Sequence, residues 1–260
     1  MISKRALITG ASSGIGLELA KLFAQKGHDL VVTARRKERL DELKSELEKQ
    51  YNITVTVFAA DLAEPDAPQS VYDFTRQHNL EIDFLINNAG IGDYGFFHEC
   101  DWEKNATIID LNIRSITHLT RLYLPDLIKK ERAYVMNVAS TAAFQPGPLM
   151  SVYYASKHYV LAFSEAIANE LSDTGVTVTT LCPGPTESEF QQEANMEKSK
   201  LFDRFPVATS KEVAEYGYKA LLKGKRVAIH GIMNKPASKI TGLFPRSWVT
   251  AVVRKIQERK

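Results

Sequence analysis

Short runs of β-branched and aliphatic residues alternate with longer amphipathic stretches from one end of this chain to the other, and that rhythm constrains the fold more than any single motif. Neighbouring parallel strands need a crossover of a dozen or more residues, usually a helix, so the alternation predicts a parallel sheet covered by helices. Strands are expected at 5–9, 30–34, 55–59, 84–87, 134–138, 176–182 and 226–229. Between the first two, Ile15, Leu19, Leu22 and Phe23 fall at helical spacing and Gly27 stops the pattern. Leu40, Leu43 and Leu47 stripe the next helix; longer ones are expected at 102–123, ending near Pro125, and at 153–171. No repeat, low-complexity tract or linker interrupts the order. The chain therefore reads as one α/β domain over 1–260, with a polar insertion at 187–206 and a basic amphipathic segment at 235–260.

The first strand runs directly into T-G-A-S-S-G-I-G at 9–16, with a helix behind it. Glycines at Gly10, Gly14 and Gly16 allow a tight turn, close approach of backbone to a ligand, and a free helix N-terminus for a pyrophosphate. The spacing is G-x-x-x-G-x-G, and its strand-to-helix context points to a dinucleotide. The second strand ends T-A-R-R. An Asp or Glu there meets a free ribose 2′-hydroxyl, whereas Arg accommodates a 2′-phosphate; Arg35 and Arg36 therefore argue for NADP(H). Cations at a helix start oppose its dipole, so an external anion explains them better than solvation. Asp61 either meets an adenine amino group or caps its own loop. At the carboxyl ends of the later strands, where open α/β sheets bind ligands, lie N-N-A-G at 87–90 and P-G-P-T-E-S at 183–188.

The stretch 140–157, S-T-A-A-F-Q-P-G-P-L-M-S-V-Y-Y-A-S-K, carries the candidate chemistry. Tyr153 and Lys157 lie four apart on a helix, so phenol and ammonium share one face and are expected to touch. A free phenol, with pKa about 10, is a sluggish acid or base at neutral pH. A fixed ammonium would lower that value by about one to three units, toward the range where general acid/base catalysis works well. Ser140 offers a hydroxyl to a substrate oxygen. Asn112 sits inside a helix although Asn is a poor interior helix former, so it satisfies a core hydrogen bond or serves the site.

Composition bounds the rest. Hydrophobic residues are 44%, charged residues 25% and the net charge is +2, an ordinary soluble balance with no global electrostatic case for nucleic acid. The apolar run after the basic start is too short for a secretory signal. Cys100 and Cys182 form no disulfide framework, and a cytoplasmic protein with reduced thiols is expected. No histidine pair has metal-ligand spacing; His98 with Cys100 and Asp101 reads as a polar loop cluster, and no metal is expected. No G-x-S-x-G marks a serine hydrolase.

With T-G-A-S-S-G-I-G, N-N-A-G, a mid-helix Asn, Ser140, Y-x-x-x-K and P-G in this order over residues 1–231, the chain resembles the short-chain dehydrogenase/reductase family. The resemblance implies a Rossmann-type, doubly wound parallel sheet of about seven strands with helices on both faces. It implies hydride transfer between a nicotinamide and a carbonyl or alcohol carbon. Carried over by position, Tyr153 is the acid/base, Lys157 lowers its pKa and holds the nicotinamide ribose, Ser140 binds the substrate oxygen, and Asn112 anchors a water in a proton relay. Gly10, Ser12, Ser13, Gly14, Ile15, Gly16, Arg35, Arg36, Asp61, Leu62, Asn88, Ala89 and Gly90 would lie along the cofactor, with Pro183, Gly184, Thr186 and Ser188. The family's usual P-G-x-V-x-T is altered here: Thr186 stands at the Val position and Ser188 at the Thr. The leading expectation is an NADPH-dependent carbonyl reductase; alternatives are a 3-oxoacyl thioester reductase of lipid metabolism and a non-catalytic NADP-binding regulator. Subunit contacts through the helices near 102–123 and 153–171 are implied, giving a homodimer or homotetramer. Phe144, Pro146, Leu149, Met150, Phe190 and Phe202 suggest an apolar pocket wall for a small-molecule substrate.

In the segment 235–260, seven basic residues face one acid, and Val249, Val252, Val253 and Ile256 form one stripe. Such a helix can lie on an anionic membrane surface. Packing of the stripe on its own domain or a partner subunit is the preferred expectation.

Overall fold

The computed structural model describes residues 4–194, 207–231, 234–236 and 241–258. Seven strands form one sheet in the order β3-β2-β1-β4-β5-β6-β9: β3 (Val55–Ala59), β2 (Asp29–Ala34), β1 (Arg5–Thr9), β4 (Phe84–Asn87), β5 (Ala133–Val138), β6 (Val176–Cys182) and β9 (Val227–Ile229). Every pairing is parallel. The chain winds outward from β1 to β3, then returns to β4 beside β1 and winds the other way. The crevice above β1 and β4 is therefore a topological switch point.

Period-2 alternation sends successive strand residues to opposite layers. Ala6, Ile8, Leu30, Val32, Phe84 and Ile86 face a layer built by α1 (Gly14–Gln25), α2 (Lys37–Gln50) and α8 (Ser210–Leu222). Leu7, Val31, Leu85, Val135 and Val178 face α3 (Ala67–Gln77), α5 (Ile116–Leu127) and α6 (Ser151–Glu170). Both faces are apolar, as a sheet covered twice demands. Phe23 of α1 is fully buried, edge-on to Phe84 (5.1 Å) and Tyr218 (4.9 Å). Phe23→Ala would cost about 3–5 kcal/mol.

The expected strands all form, with β2 and β5 starting one residue earlier and β9 one later. The single helix expected over 102–123 is different. It comprises α4 (Trp102–Ile109), a π-helical stretch (Asp110–Ser115) holding Asn112, and α5, which carries Pro125 inside its last turn. Helices α3 and α8 escaped the sequence reading. At the insertion, β7 (Thr186–Glu187) pairs with β8 (Ala208–Thr209), and α7 (Phe190–Glu193) follows β7. Residues 195–206, with Met196, Phe202 and Phe205, lie outside the described residues. No helix among the described residues is long and apolar enough to cross a membrane.

Candidate active site

A cavity of about 750 Å³ runs along the carboxyl edge of the sheet, from Arg35 and Arg36 at one end to Tyr153 and Lys157 at the other. The glycine loop forms its floor. Gly10 has φ +67, and a Cβ there would lie 2.9 Å from Ala89 Cα and Asn88 Nδ2. At Gly16 a Cβ would fall 2.3 Å from the Gly10 carbonyl oxygen. Backbone thus packs on backbone, leaving open above it the cradle that a pyrophosphate fits. Thr9, absent from the expected site residues, stitches this floor: its buried hydroxyl accepts the amides of Asn88 (2.9 Å) and Ala89 (3.0 Å). The Asn88 side chain returns a hydrogen bond to the Thr9 carbonyl at 2.9 Å.

Of the sequence-expected cofactor residues, all but Gly16 line the cavity: Ser12, Ser13, Gly14, Ile15, Leu62, Ala89, Gly90, Pro183, Gly184, Thr186 and Ser188 with those already named, and Asp61. Asp61 also caps its loop, accepting the Ala63 amide at 3.0 Å. The arginines are not bare. Arg36 Nη1 meets Glu189 Oε2 at 2.6 Å, and its Nη2 donates to Ser12 (3.1 Å) and Ser13 (3.0 Å) hydroxyls. Arg35 lies 4.0 Å from Asp61 and 3.9 Å from Glu193. The idea that these cations await only an external anion is corrected: carboxylates of the chain already face them, from positions far away in sequence.

Tyr153 lies in the first turn of α6, and Lys157 follows one turn later. The expected contact takes an unexpected form. The Lys157 ammonium stands 5.8 Å from the Tyr153 ring centroid and donates to the Val138 carbonyl at 2.9 Å. Tyr153 keeps part of its surface open to the cavity, yet burial pushes its phenol up to about 12, opposed by a hydrogen bond with Ser140. The lowering expected from the ammonium is thus overturned: desolvation raises the phenol, only Ser140 opposes it, and Nζ is turned toward the Val138 carbonyl. Burial also depresses Lys157 to about 8. Ser140 lies two residues beyond β5 and caps the following turn, accepting the Ala142 amide at 3.1 Å and donating to the Pro183 carbonyl at 3.4 Å.

Asn112 does not line the cavity. Its Oδ1 accepts the Ile91 amide (3.0 Å), and its Nδ2 donates to the Ile91 carbonyl (2.9 Å) and Ser156 Oγ (3.0 Å). Ser156 in turn donates to the Tyr153 carbonyl at 2.7 Å. Asn112 therefore joins the loop after β4 to the tyrosine-bearing turn of α6, and the π-helical widening, common at functional sites, carries it. A Cβ on Gly90 would sit 3.2 Å from both Asn112 Oδ1 and Lys157 Nζ. Those two groups thus meet beside Gly90, which itself lines the cavity.

The remaining wall comes from the C-terminal helix α9 (Arg246–Gln257), which the sequence did not connect with the site. Its Val249, Val252, Val253 and Ile256 line the cavity beside Met150, Tyr154 and Phe190. Gln257 is fully buried; its Nε2 donates to the Tyr154 hydroxyl, and its carbonyl accepts the Tyr94 hydroxyl. Val249 and Val253 of the stripe pack on their own domain, while Val252 of the same stripe stays exposed with Leu243, Phe244 and Trp248. Among the expected wall residues, Phe144, Pro146 and Leu149 lie off the cavity, and Phe202 is outside the described residues. The His98 region is a surface cluster: His98 pairs with Glu99 at 3.5 Å, and Asp101 caps α4 through the Glu103 amide at 3.1 Å.

Comparison with known proteins fits this geometry. Residues 4–199 match the family described as short chain dehydrogenase, and the chain belongs to that oxidoreductase family. A sulfoacetaldehyde reductase 2 from Chromohalobacter salexigens is 37% identical over 197 residues, 73% of this chain and 75% of that protein. A very-long-chain 3-oxoacyl-CoA reductase from Anas platyrhynchos is 35% identical over 185 residues, 68% of this chain but only 58% of its relative's length. The solved short-chain dehydrogenase from Sphingobium yanoikuyae in complex with NADPH is 31% identical, with a TM-score of 0.82 over 92% of this chain and 94% of that one.

Proposed function

We propose that this protein is an NADPH-dependent carbonyl reductase with Tyr153 as its general acid. The carrying observation is the single cavity that joins Arg35 and Arg36 to Ser140, Tyr153 and Lys157. Gly10, Gly14 and the open N-terminus of α1 suit the pyrophosphate, Arg35 and Arg36 a 2′-phosphate, and Lys157 the nicotinamide ribose. The bound cofactor supplies the hydride. Tyr153 keeps its proton at neutral pH, as an acid must before a developing alkoxide oxygen takes it. Ser140, already within hydrogen-bonding reach of that phenol, holds the same oxygen. Asn112 and Ser156 fix the tyrosine's backbone, and the apolar side chains of α9 exclude water.

The apolar wall favours bulky apolar ketones, with 3-oxoacyl thioesters as the second substrate class; the duck relative supports including them. NADPH oxidation against ketones, aldehydes and 3-oxoacyl thioesters tests the reading. No turnover with any of them, alongside intact NADPH binding, would favour the non-catalytic regulator. A homodimer or homotetramer belongs to the same proposal, supported by the exposed Trp102 and Ile109 on α4. Sedimentation showing monomer at micromolar concentration would remove it.

A further inference from the structure

Glu189 lies in the insertion at 187–206, between Ser188 and Phe190, but is not itself among the residues the sequence assigns to the site. Its two carboxylate oxygens bridge two cations: Oε2 meets Arg36, which lines the arginine end of the cavity, at 2.6 Å, and Oε1 meets Arg39, off the cavity on α2, at 2.5 Å. Those guanidiniums hold its carboxyl below the usual range, Arg39 contributing most. Arg36 and Arg39 belong to the start of α2, whereas Glu189 lies 150 residues from Arg39 in the chain, so the contact is tertiary. Arg36 is at the same time held by the Ser12 and Ser13 hydroxyls of the glycine loop, which puts it at the cavity and orients it. Two guanidiniums with hydroxyls beside them are a donor set that a phosphate monoester could use, and here the Glu189 carboxylate accepts from it instead.

We propose that Glu189 is a specificity-determining residue that occupies the 2′-phosphate subsite, so that NADP(H) binds only by displacing this carboxylate from Arg36. The inference rests on the NADPH reading above. The local charge supports it. Arg35, Arg36 and Arg39 face Asp61, Glu189 and Glu193, so the cations that should attract a phosphate are already balanced within the chain. Discrimination between NADPH and NADH is then weaker than two bare arginines would give. Displacement is feasible because the pairs are partly exposed, with Arg36 and Glu189 side chains 36% and 38% accessible. Exposed pairs of this kind contribute little net energy.

The segment around Glu189 does not depend on it for its place. Ser210 Oγ donates to the Glu187 carbonyl at 2.8 Å, and Lys104 Nζ donates to the Glu193 carbonyl at 2.9 Å. Between them Phe190 packs 5.2 Å from the Tyr153 ring. Glu189→Gln therefore removes the charge and keeps the arm.

The test is a direct binding titration of full-length wild type, Glu189→Gln and Arg36→Ala with NADPH, NADH, 2′,5′-ADP and 5′-AMP at one fixed salt concentration. The expected result is a gain of roughly fivefold in affinity for NADPH and 2′,5′-ADP in Glu189→Gln, the size of a partly exposed ion pair. NADH and 5′-AMP should move by less than twofold. Unchanged NADPH affinity in Glu189→Gln, while Arg36→Ala weakens NADPH selectively, overturns the inference and leaves the NADPH reading standing. Equal weakening of both cofactors in Glu189→Gln also overturns it, since the carboxylate would then only brace the arm. If Arg36→Ala fails to separate NADPH from NADH, the NADPH reading itself falls and takes the inference with it.

Discussion

The two walls of the cavity are held by different forces. The inner wall, at the ends of β4, β5 and β6 and on α6, is fixed by buried hydrogen bonds: Asn112 to Ile91 and Ser156, Lys157 to Val138, Thr9 to Asn88 and Ala89. The outer wall, formed by the 186–194 arm and α9, is held at exposed contacts, the Ser210 hydroxyl on the Glu187 carbonyl and the Lys104 ammonium on the Glu193 carbonyl, with ion pairs reached by water beside them and one buried amide, Gln257. Buried polar groups are costly to leave unpaired, whereas exposed ion pairs contribute about 0–1 kcal/mol. Positions that must be accurate to a fraction of an ångström therefore use the first kind. Positions that meet different substrates can use the second.

The sharpest break in that contrast comes at Tyr153. Tyr153→Phe deletes the acidic proton and little packing, so kcat should fall at least about a hundredfold, the lower range for a lost general acid. Cofactor dissociation constants should hardly move; a variant with near wild-type rates would dismiss the assignment. At the other end, Arg36→Ala should weaken NADPH by about tenfold, as expected when a charge-assisted hydrogen bond is lost. NADH serves as its control, and equal losses for both would show that the arginine does not discriminate.

Lys157 offers a probe of the inner wall that needs no substrate. Its folded-state value is near 8 and its ordinary value is 10.5. Below pH 8 both folded and unfolded chains hold the proton, and the cost of burying the ammonium is fully present. Between about 8 and 10.5 the folded chain releases it first, so stability rises with pH across that window. From pH 7.5 to 9.5 the gain should be about 1 to 2 kcal/mol. Thermal melts of wild type and Lys157→Met should diverge at the lower pH and converge at the higher; a constant gap would show that the ammonium is not desolvated.

The smallest effect is expected on the outer wall. Tyr154→Phe removes the acceptor of the Gln257 amide and loosens α9. KM for an apolar ketone should rise about threefold to tenfold with kcat nearly kept, in proportion to about 1 kcal/mol for one lost hydrogen bond. A fall in kcat matching that of Tyr153→Phe would erase the distinction between the two tyrosines.

Legibility in the sequence follows the same division. Strand positions, the glycine turn and the Tyr153–Lys157 spacing are local or periodic features, and each strand of the seven-stranded sheet is legible to within a residue at its ends, whereas β7 and β8 are not. Asn112 was singled out because its residue type clashes with a helix interior, but its partners, Ile91 and Ser156, belong to other elements. The direction of the Tyr153 shift was misjudged because spacing shows which groups are neighbours and says nothing of how much water they lose. Glu189 and Gln257 left no local signal at all, since their contacts span 150 and 103 residues.

The short pairing of β7 with β8 has a consequence for how such a chain can change over generations. Thr186 is registered with Ala208 and Glu187 with Thr209, so the two ends of the stretch 188–207 are joined outside the main sheet. Doubling the length of a loop closed in this way costs only about 0.6 kcal/mol. A change of chain length between Ala194 and Ala208 therefore carries only that small closure cost, and it leaves the register of β7 with β8 to hold both ends. A graft from a relative that keeps Ser188–Ala194, and with them the contacts of Glu189, Phe190 and Glu193, is the natural unit for redesigning what the enzyme accepts.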